Sequence, residues 1–186
     1  KYFVSAGKLE DVIRQMVSGA NRYVNEAVPI ADTRLQDGSR VNIVLAPVAV
    51  NGPAVTIRKF PKERITMDRL LEIGSINEEI KIFLNKLVRS KYNIFISGGT
   101  GAGKTTFLNA LSQFIPSDER IITIEDNAEL QIQGIENLVS LEARRANLEG
   151  EGEITIRDLI KTALRMRPDR LIVGEVRGGE AVDLLQ

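Results

Sequence analysis

Leu9, Val12, Ile13, Met16 and Val17 recur at i, i+3, i+4, i+7 and i+8, the stripe of an amphipathic helix whose apolar side packs on a neighbouring sheet. Three β-like runs follow, from Ala31 to Leu35, Arg40 to Ala46 and Ala54 to Phe60, divided by the turn signals Asp37-Gly38 and Asn51-Gly52-Pro53. These elements predict a small α+β domain over residues 1–60. A charged break from Pro61 to Arg64 and a short helix from Met67 to Ile73, ended by Gly74, predict a linker over residues 61–74. The helical period then returns: Ser75 and Glu78 fit a capping box ahead of Ile80, Phe83, Leu84, Leu87 and Val88. Beyond it, apolar strands at Ile94–Ser97, Ile121–Glu125, Leu138–Leu141 and Arg170–Val173 alternate with helical segments. The last clear helix starts near Thr155, with Asp158 as capping partner and Ile156, Leu159, Ile160, Ala163 and Leu164 as its buried stripe. Such alternation predicts an α/β layered domain over residues 75–186.

Composition narrows the chemistry. The 186 residues are 43% hydrophobic and 27% charged, an ordinary globular balance, and no apolar run approaches the length of a membrane span. With no cysteine and no histidine, disulfides, thiolate or imidazole metal sites and histidine-based triads are excluded. The 25 basic and 25 acidic residues cancel and are interleaved, which argues against a non-specific nucleic-acid surface. The chain opens on Lys1 and stops at Gln186 within a helical pattern, and it reads as a piece of a longer protein.

The decisive stretch is Asn93-Ile-Phe-Ile-Ser-Gly-Gly-Thr-Gly-Ala-Gly-Lys-Thr-Thr-Phe107, which fits G-x-x-x-x-G-K-[ST] with Gly98, Gly103, Lys104 and Thr105 in register. At ordinary residue frequencies the pattern arises by chance about 0.006 times in a chain this long, so a glycine-rich turn with a surface lysine is the weaker reading. A strand precedes it and a helix beginning with Phe107, Leu108 and Leu111 follows, the context the motif requires. Glycines let successive backbone N–H groups face one anion, and the helix N-terminus adds partial positive charge. Gly98, Gly99, Thr100, Gly101, Ala102, Gly103, Lys104, Thr105 and Thr106 are therefore the candidate cradle for nucleotide phosphates. Lys104 is expected on the β- and γ-phosphates and the Thr105 hydroxyl on Mg²⁺.

Two carboxylate sites follow at strand ends. The apolar strand from Ile121 runs into Glu125 and Asp126, one of which can orient and deprotonate an attacking water, although acidic residues ending a strand are more often solvated turn formers. The strand from Arg170 runs into Gly174 and Glu175. A carboxylate in that place holds the Mg²⁺ shell of P-loop proteins, usually an aspartate, and the longer glutamate suggests contact through a metal-bound water.

GGTGAGKTT at Gly98 to Thr106, TIEDNAEL at Thr123 to Leu130 and the run from Thr155 to Gln186 together resemble the bacterial secretion ATPases of type II and type IV systems. LEARRANLEGEGEIT, from Leu141 to Thr155, resembles the Tad/Flp pilus assembly ATPases, the CpaF-like branch, and the segment Pro29 to Phe60 resembles the end of that family's N-terminal domain. The resemblance implies an α/β fold with a RecA-like P-loop NTPase domain preceded by a PAS-like α+β domain. It further implies a hexameric ring on the cytoplasmic side of the inner membrane, peripheral to it, hydrolysing ATP with Mg²⁺ to drive pilus assembly or secretion alongside membrane platform proteins. Glu125 matches the family's catalytic glutamate, and Glu175 its Walker B glutamate. Arg40 and Arg58, and with less weight Arg34, lie where members direct arginines at the nucleotide, though each also reads as a solvated strand-edge charge. Arg177 is expected to brace the strand end, and Arg144 and Arg145 read either as a subunit contact or as a charged loop. The family's histidine box and C-terminal helical part are expected after Gln186. Two other functions stay open: a nucleotide- and partner-binding module without turnover, and a RecA-type nucleic-acid motor.

Overall fold

The computed structural model describes residues 6–18, 24–59, 64–144, 146, 151–176 and 178–184. The chain divides into two compact units, Lys1–Glu63 and Arg64–Gln186.

In the first unit, α1 (Ala6–Ser18) precedes three strands, β1 (Ile30–Arg34), β2 (Arg40–Val44) and β3 (Ala54–Arg58), which form an antiparallel meander in the order β1-β2-β3. The turn between β1 and β2 needs a left-handed residue, and Gly38 supplies it at φ 83° while Asp37 Oδ1 accepts the Ser39 N–H at 2.9 Å. Strand alternation turns Ala31, Thr33, Val41 and Ile43 to one face, where the hydrophobic ones meet Ile13 and Val17 of α1. Leu9 and Met16 pack against the same cluster, so the helical stripe forms as expected. Ile43 is completely buried. Ile43→Ala is expected to cost about 2–5 kcal/mol, the usual loss for an unrelaxed core cavity, read as a fall in the urea midpoint of the first unit.

The second unit contains α2 (Met67–Glu72), α3 (Glu78–Arg89), α4 (Lys104–Ser112), β4 (Arg120–Glu125), β5 (Asn137–Glu142), α5 (Ile156–Arg165), β6 (Arg170–Val173) and the single turn α6 (Glu180–Asp183). Its sheet has the order β5-β4-β6, with both pairings parallel. The central β4 is buried on both faces, as a near-continuous apolar run demands. Ile122 and Ile124 on one face pack against Ile160 and Ala163 of α5. Thr155 caps α5 with Asp158 in a complete capping box. Met67, Leu70, Val88, Ala110 and Leu111 make a separate cluster among α2, α3 and α4.

Several expectations change. The stretch from Arg64 to Gly74, assigned above to a linker, lies within the second unit, because Met67 and Leu70 bury themselves against α3 and α4; residues 61–63 lie outside the described set. The N-cap of α3 is Asn77, whose Oδ1 accepts the Ile80 N–H at 2.8 Å, rather than Ser75. Ser75 is instead spent on closing α2, its N–H donating to Leu70 O at 2.9 Å just after the left-handed Gly74. Ile94–Ser97 pairs with no strand of either sheet; Ile94 and Ile96 pack into the helical cluster while Phe95 is exposed. Ile80 and Phe83 of α3 and Leu164 of α5 are also exposed, because each stripe is wider than the surface it covers.

At the start of β4 and β6, Arg170 forks onto the buried Glu119, and Lys91 reaches Asp169 at 3.4 Å. The Asp169 carboxyl is held below its usual range first by the Arg120 backbone N–H and then by Lys91. These charges tie strand beginnings together at the end of the sheet away from Glu125.

Candidate functional site

The glycine-rich loop takes the conformation its composition allows. Gly101 and Gly103 have φ of 74° and 86°, and Gly103 is the N-cap of α4 with no side-chain cap. A Cβ at either position is strained by the positive φ, although it would meet nothing within 4 Å. At Gly98 a Cβ would lie 3.3 Å from Ala102 Cβ and 3.7 Å from Lys104 Cγ, so the missing side chain leaves room for the lysine stem. Residues from Gly98 to Gly103 are exposed, whereas Lys104, Thr105 and Thr106 are half-buried in the first turn of α4. Lys104 Nζ donates to Gly98 O at 3.0 Å and to Gly99 O at 2.8 Å, which holds the ammonium over the loop. All nine cradle residues are thus contiguous at a helix N-terminus, an arrangement suited to a phosphate.

Glu125 ends β4 and is 4% exposed, so the solvated-turn reading does not describe it. Its Oε1 accepts the backbone N–H groups of Glu129 at 2.8 Å and Leu130 at 2.9 Å. Burial pushes its pKa up; the two N–H groups oppose that, and the nearby charges of Glu129 and Glu142 add to it. A buried carboxylate with a raised pKa is the form a general base takes. The turn that holds it is itself tied to the phosphate-loop helix, since Asn109 Oδ1 on α4 accepts the Gln131 N–H at 2.8 Å. Nothing in the hydrophobic pattern singles out Asn109; its only signal is a polar residue among Leu108, Ala110 and Leu111.

Glu175 follows β6 at the same edge of the sheet. Gly174 N–H donates to Ile124 O at 2.8 Å, continuing the pairing of β6 with β4, and so sets Gly174 beside Glu125 and Glu175 one residue further on. Glu175 is half-buried and has an interaction partner. Asp126 is partly buried and accepts from Asn127 at 3.3 Å; it also lines a cleft of about 260 Å³ with Arg144, Thr155 and Arg157.

In the first unit, register decides the arginines. Arg34 pairs with Arg40, and Arg40 pairs with Arg58, so the three form one row across the meander on the face away from α1. Like charges directly opposite each other in a sheet are unfavourable on their own. Arg40 is balanced in part by Asp32 at 3.8 Å, and Arg34 and Arg58 are also engaged. Arg34, the weaker candidate by sequence, stands in the same ladder as the other two.

Arg144 makes an isolated antiparallel bridge with Ile154 and donates from Nε to Gly152 O at 2.7 Å. Arg145 and Arg177 lie outside the described residues.

The sequence pattern of the type II/IV secretion system proteins matches residues 2–186. The chain belongs to that family. Among relatives, a protein of Methanocaldococcus jannaschii is 45% identical over 185 residues, covering 96% of this chain and 25% of its own length. The conjugal transfer protein TrbB of Rhizobium radiobacter is 35% identical over 191 residues, covering 98% of this chain and 57% of TrbB. The crystal structure of the VirB11 ATPase from the Brucella suis type IV secretion system, in complex with sulphate, aligns over 97% of this chain and 60% of its own with a TM-score of 0.51 and 28% identity. This member of the type II/IV secretion system family therefore shares a mixed α/β fold with VirB11, and its parallel sheet fits a P-loop domain. It spans between a quarter and three fifths of the length of these relatives.

Proposed function

We propose that the chain binds and hydrolyses ATP as part of a motor ATPase that powers pilus assembly or protein secretion. The observation that carries the reading is the exposed glycine loop opening directly into α4, with Lys104 held over it. The VirB11 structure in complex with sulphate supports it, because a tetrahedral oxyanion shares the shape and charge of a phosphate group. On nucleotide binding, Lys104 exchanges two neutral carbonyl acceptors for phosphate oxygens, which form stronger charge-assisted hydrogen bonds. Thr105 and Glu175 are the residues to hold Mg²⁺, Glu175 through water; when bound, the ion neutralises charge on the phosphates. Glu125 takes the proton of the attacking water.

The segment from Leu141 to Thr155 favours the Tad/Flp, CpaF-like branch, with the first unit as the end of a PAS-like domain. The same reading has a hexameric ring at the cytoplasmic face of the inner membrane, bound to platform proteins. No helix among the described residues is long and apolar enough to cross a membrane. Mg²⁺-dependent ATP hydrolysis by the intact protein, and a shift to a ring-sized species on gel filtration with an ATP analogue, test it. Absence of both sinks the motor, and strong stimulation by DNA favours a nucleic-acid motor instead.

The arginine row enters the same scheme. Arginines that close on a γ-phosphate act most strongly as transition-state charge develops. Arg40→Ala and Arg58→Ala are each expected to lower kcat about 10²-fold while nucleotide affinity changes far less. Unchanged kcat in both variants reduces the row to surface charge.

A further inference from the structure

Gly174 and Asn109 take no part in the chemistry above, yet both bear on where the Glu125 carboxylate sits. A Cβ built on Gly174 lies 2.9 Å from Glu125 Cγ and 3.2 Å from its Oε1, closer than non-bonded carbon atoms approach. Gly174 cannot yield, because its N–H is bonded to Ile124 O within the extended β4–β6 pairing. Glu125 is the partner that must move, and its own freedom is small: the side chain is buried and Oε1 is held by two backbone N–H groups. Those two N–H groups belong to residues 129 and 130, and the next amide, that of Gln131, is fastened to Asn109 on α4. The Gln131 side chain in turn accepts from Arg64 Nε at 2.7 Å, so the turn is anchored at both its backbone and its side chain.

We propose that Gly174 and Asn109 are positioning residues for Glu125: Gly174 by leaving the space its carboxylate occupies, and Asn109 by fixing the turn whose amides grip Oε1. The proposal rests on Glu125 being the general base. It also connects the two halves of the site, because Asn109 lies on the helix whose first turn carries Lys104 and Thr105. A displacement of α4 on nucleotide binding reaches the carboxylate through one side-chain hydrogen bond and one turn of backbone.

The test compares G174A, N109L, N109D and E125Q in the intact protein, measuring kcat, KM, the pH–rate profile and affinity for a non-hydrolysable ATP analogue. G174A and N109L are expected to lower kcat about 10- to 100-fold, part of the 10²–10⁴-fold that a placed general base supplies, with analogue affinity within about threefold of the parent. In N109L the acid limb of the profile moves to higher pH, because amides that favour the ionised carboxylate are loosened. N109D keeps an acceptor oxygen for the Gln131 N–H and is expected to recover most of the rate. Parental kcat and profile in both G174A and N109L, with E125Q inactive, overturn the positioning role while leaving the base in place. Equal loss in N109D and N109L without a pH shift also overturns it. Parental turnover in E125Q removes Glu125 as the base and this proposal with it. Should G174A fail to fold, the comparison of N109L with N109D decides.

Discussion

Lys104→Ala is expected to abolish ATP turnover and to weaken nucleotide binding by about 10²-fold or more. The ammonium is the one charged donor on the loop, and hydrogen bonds to charged groups are worth about 1.5–3 kcal/mol each; Lys104 already makes two, to Gly98 and Gly99, which a phosphate replaces. The fold is expected to survive. Lys104 is half-buried at the first turn of α4, where alanine is at least as good a helix former, and its bonds are to exposed loop carbonyls that water can satisfy. Calorimetric titration with an ATP analogue, beside a circular-dichroism melt, separates the two effects. Parental affinity in a folded variant removes the phosphate-loop assignment.

Glu125→Gln is expected to slow hydrolysis about 10²–10⁴-fold while leaving nucleotide binding intact, since the amide keeps the size of the carboxylate but cannot take a proton from water. A carbonyl oxygen at Oε1 still accepts the Glu129 and Leu130 amides, so the turn is retained. The same change has the opposite sign for stability. Burial raises the folded pKa of Glu125, so the folded protein binds its proton more tightly than the unfolded chain does. The stability linked to that proton is complete below the unfolded pKa and is lost as pH rises through the folded one. At neutral pH the parent therefore carries a buried charge that the glutamine lacks. The variant is expected to melt at a higher temperature at pH 7, with the gap closing as the buffer is acidified. The raised pKa also places the acid limb of parental activity above the range of an exposed glutamate. A variant with parental turnover assigns the base elsewhere, and a variant that melts lower at pH 7 contradicts the cost of burying the charge.

The amphipathic stripe of α1, the three short strands of the first unit, the capping box of α5 and the glycine-rich loop opening α4 were all legible in the sequence, because each depends on local spacing or local backbone conformation. Helical periodicity needs only a partner surface, and Ile13 and Val17 found one. Gly101 and Gly103 are required by the positive φ angles they adopt, whatever surrounds them.

Where two local signals competed, tertiary structure chose between them. Ser75 and Asn77 are both good caps, and the choice of Asn77 followed from the way Ser75 closes α2. Ile94–Ser97 has the composition of a buried strand, yet a strand exists only where another offers its hydrogen bonds, and the apolar side chains here were satisfied by helices. The α2 segment, read as linker for its length and charge, belongs to the core of the second unit because Met67 and Leu70 have surfaces to bury against.

The sequence by itself determined the glycine-rich run that opens α4, the carboxylate that ends β4 and the one that follows β6, since these reside in residue type and order. Only the tertiary structure decided that Glu125 is buried and gripped by the turn at residues 129–130, that Asn109 fastens that turn to α4, that Gly174 leaves the carboxylate its room, and that Arg34 stands in line with Arg40 and Arg58. Each of these depends on strand register or on contacts between residues far apart along the chain. Register and long-range contact are settled by the packing of whole faces, which no local pattern encodes.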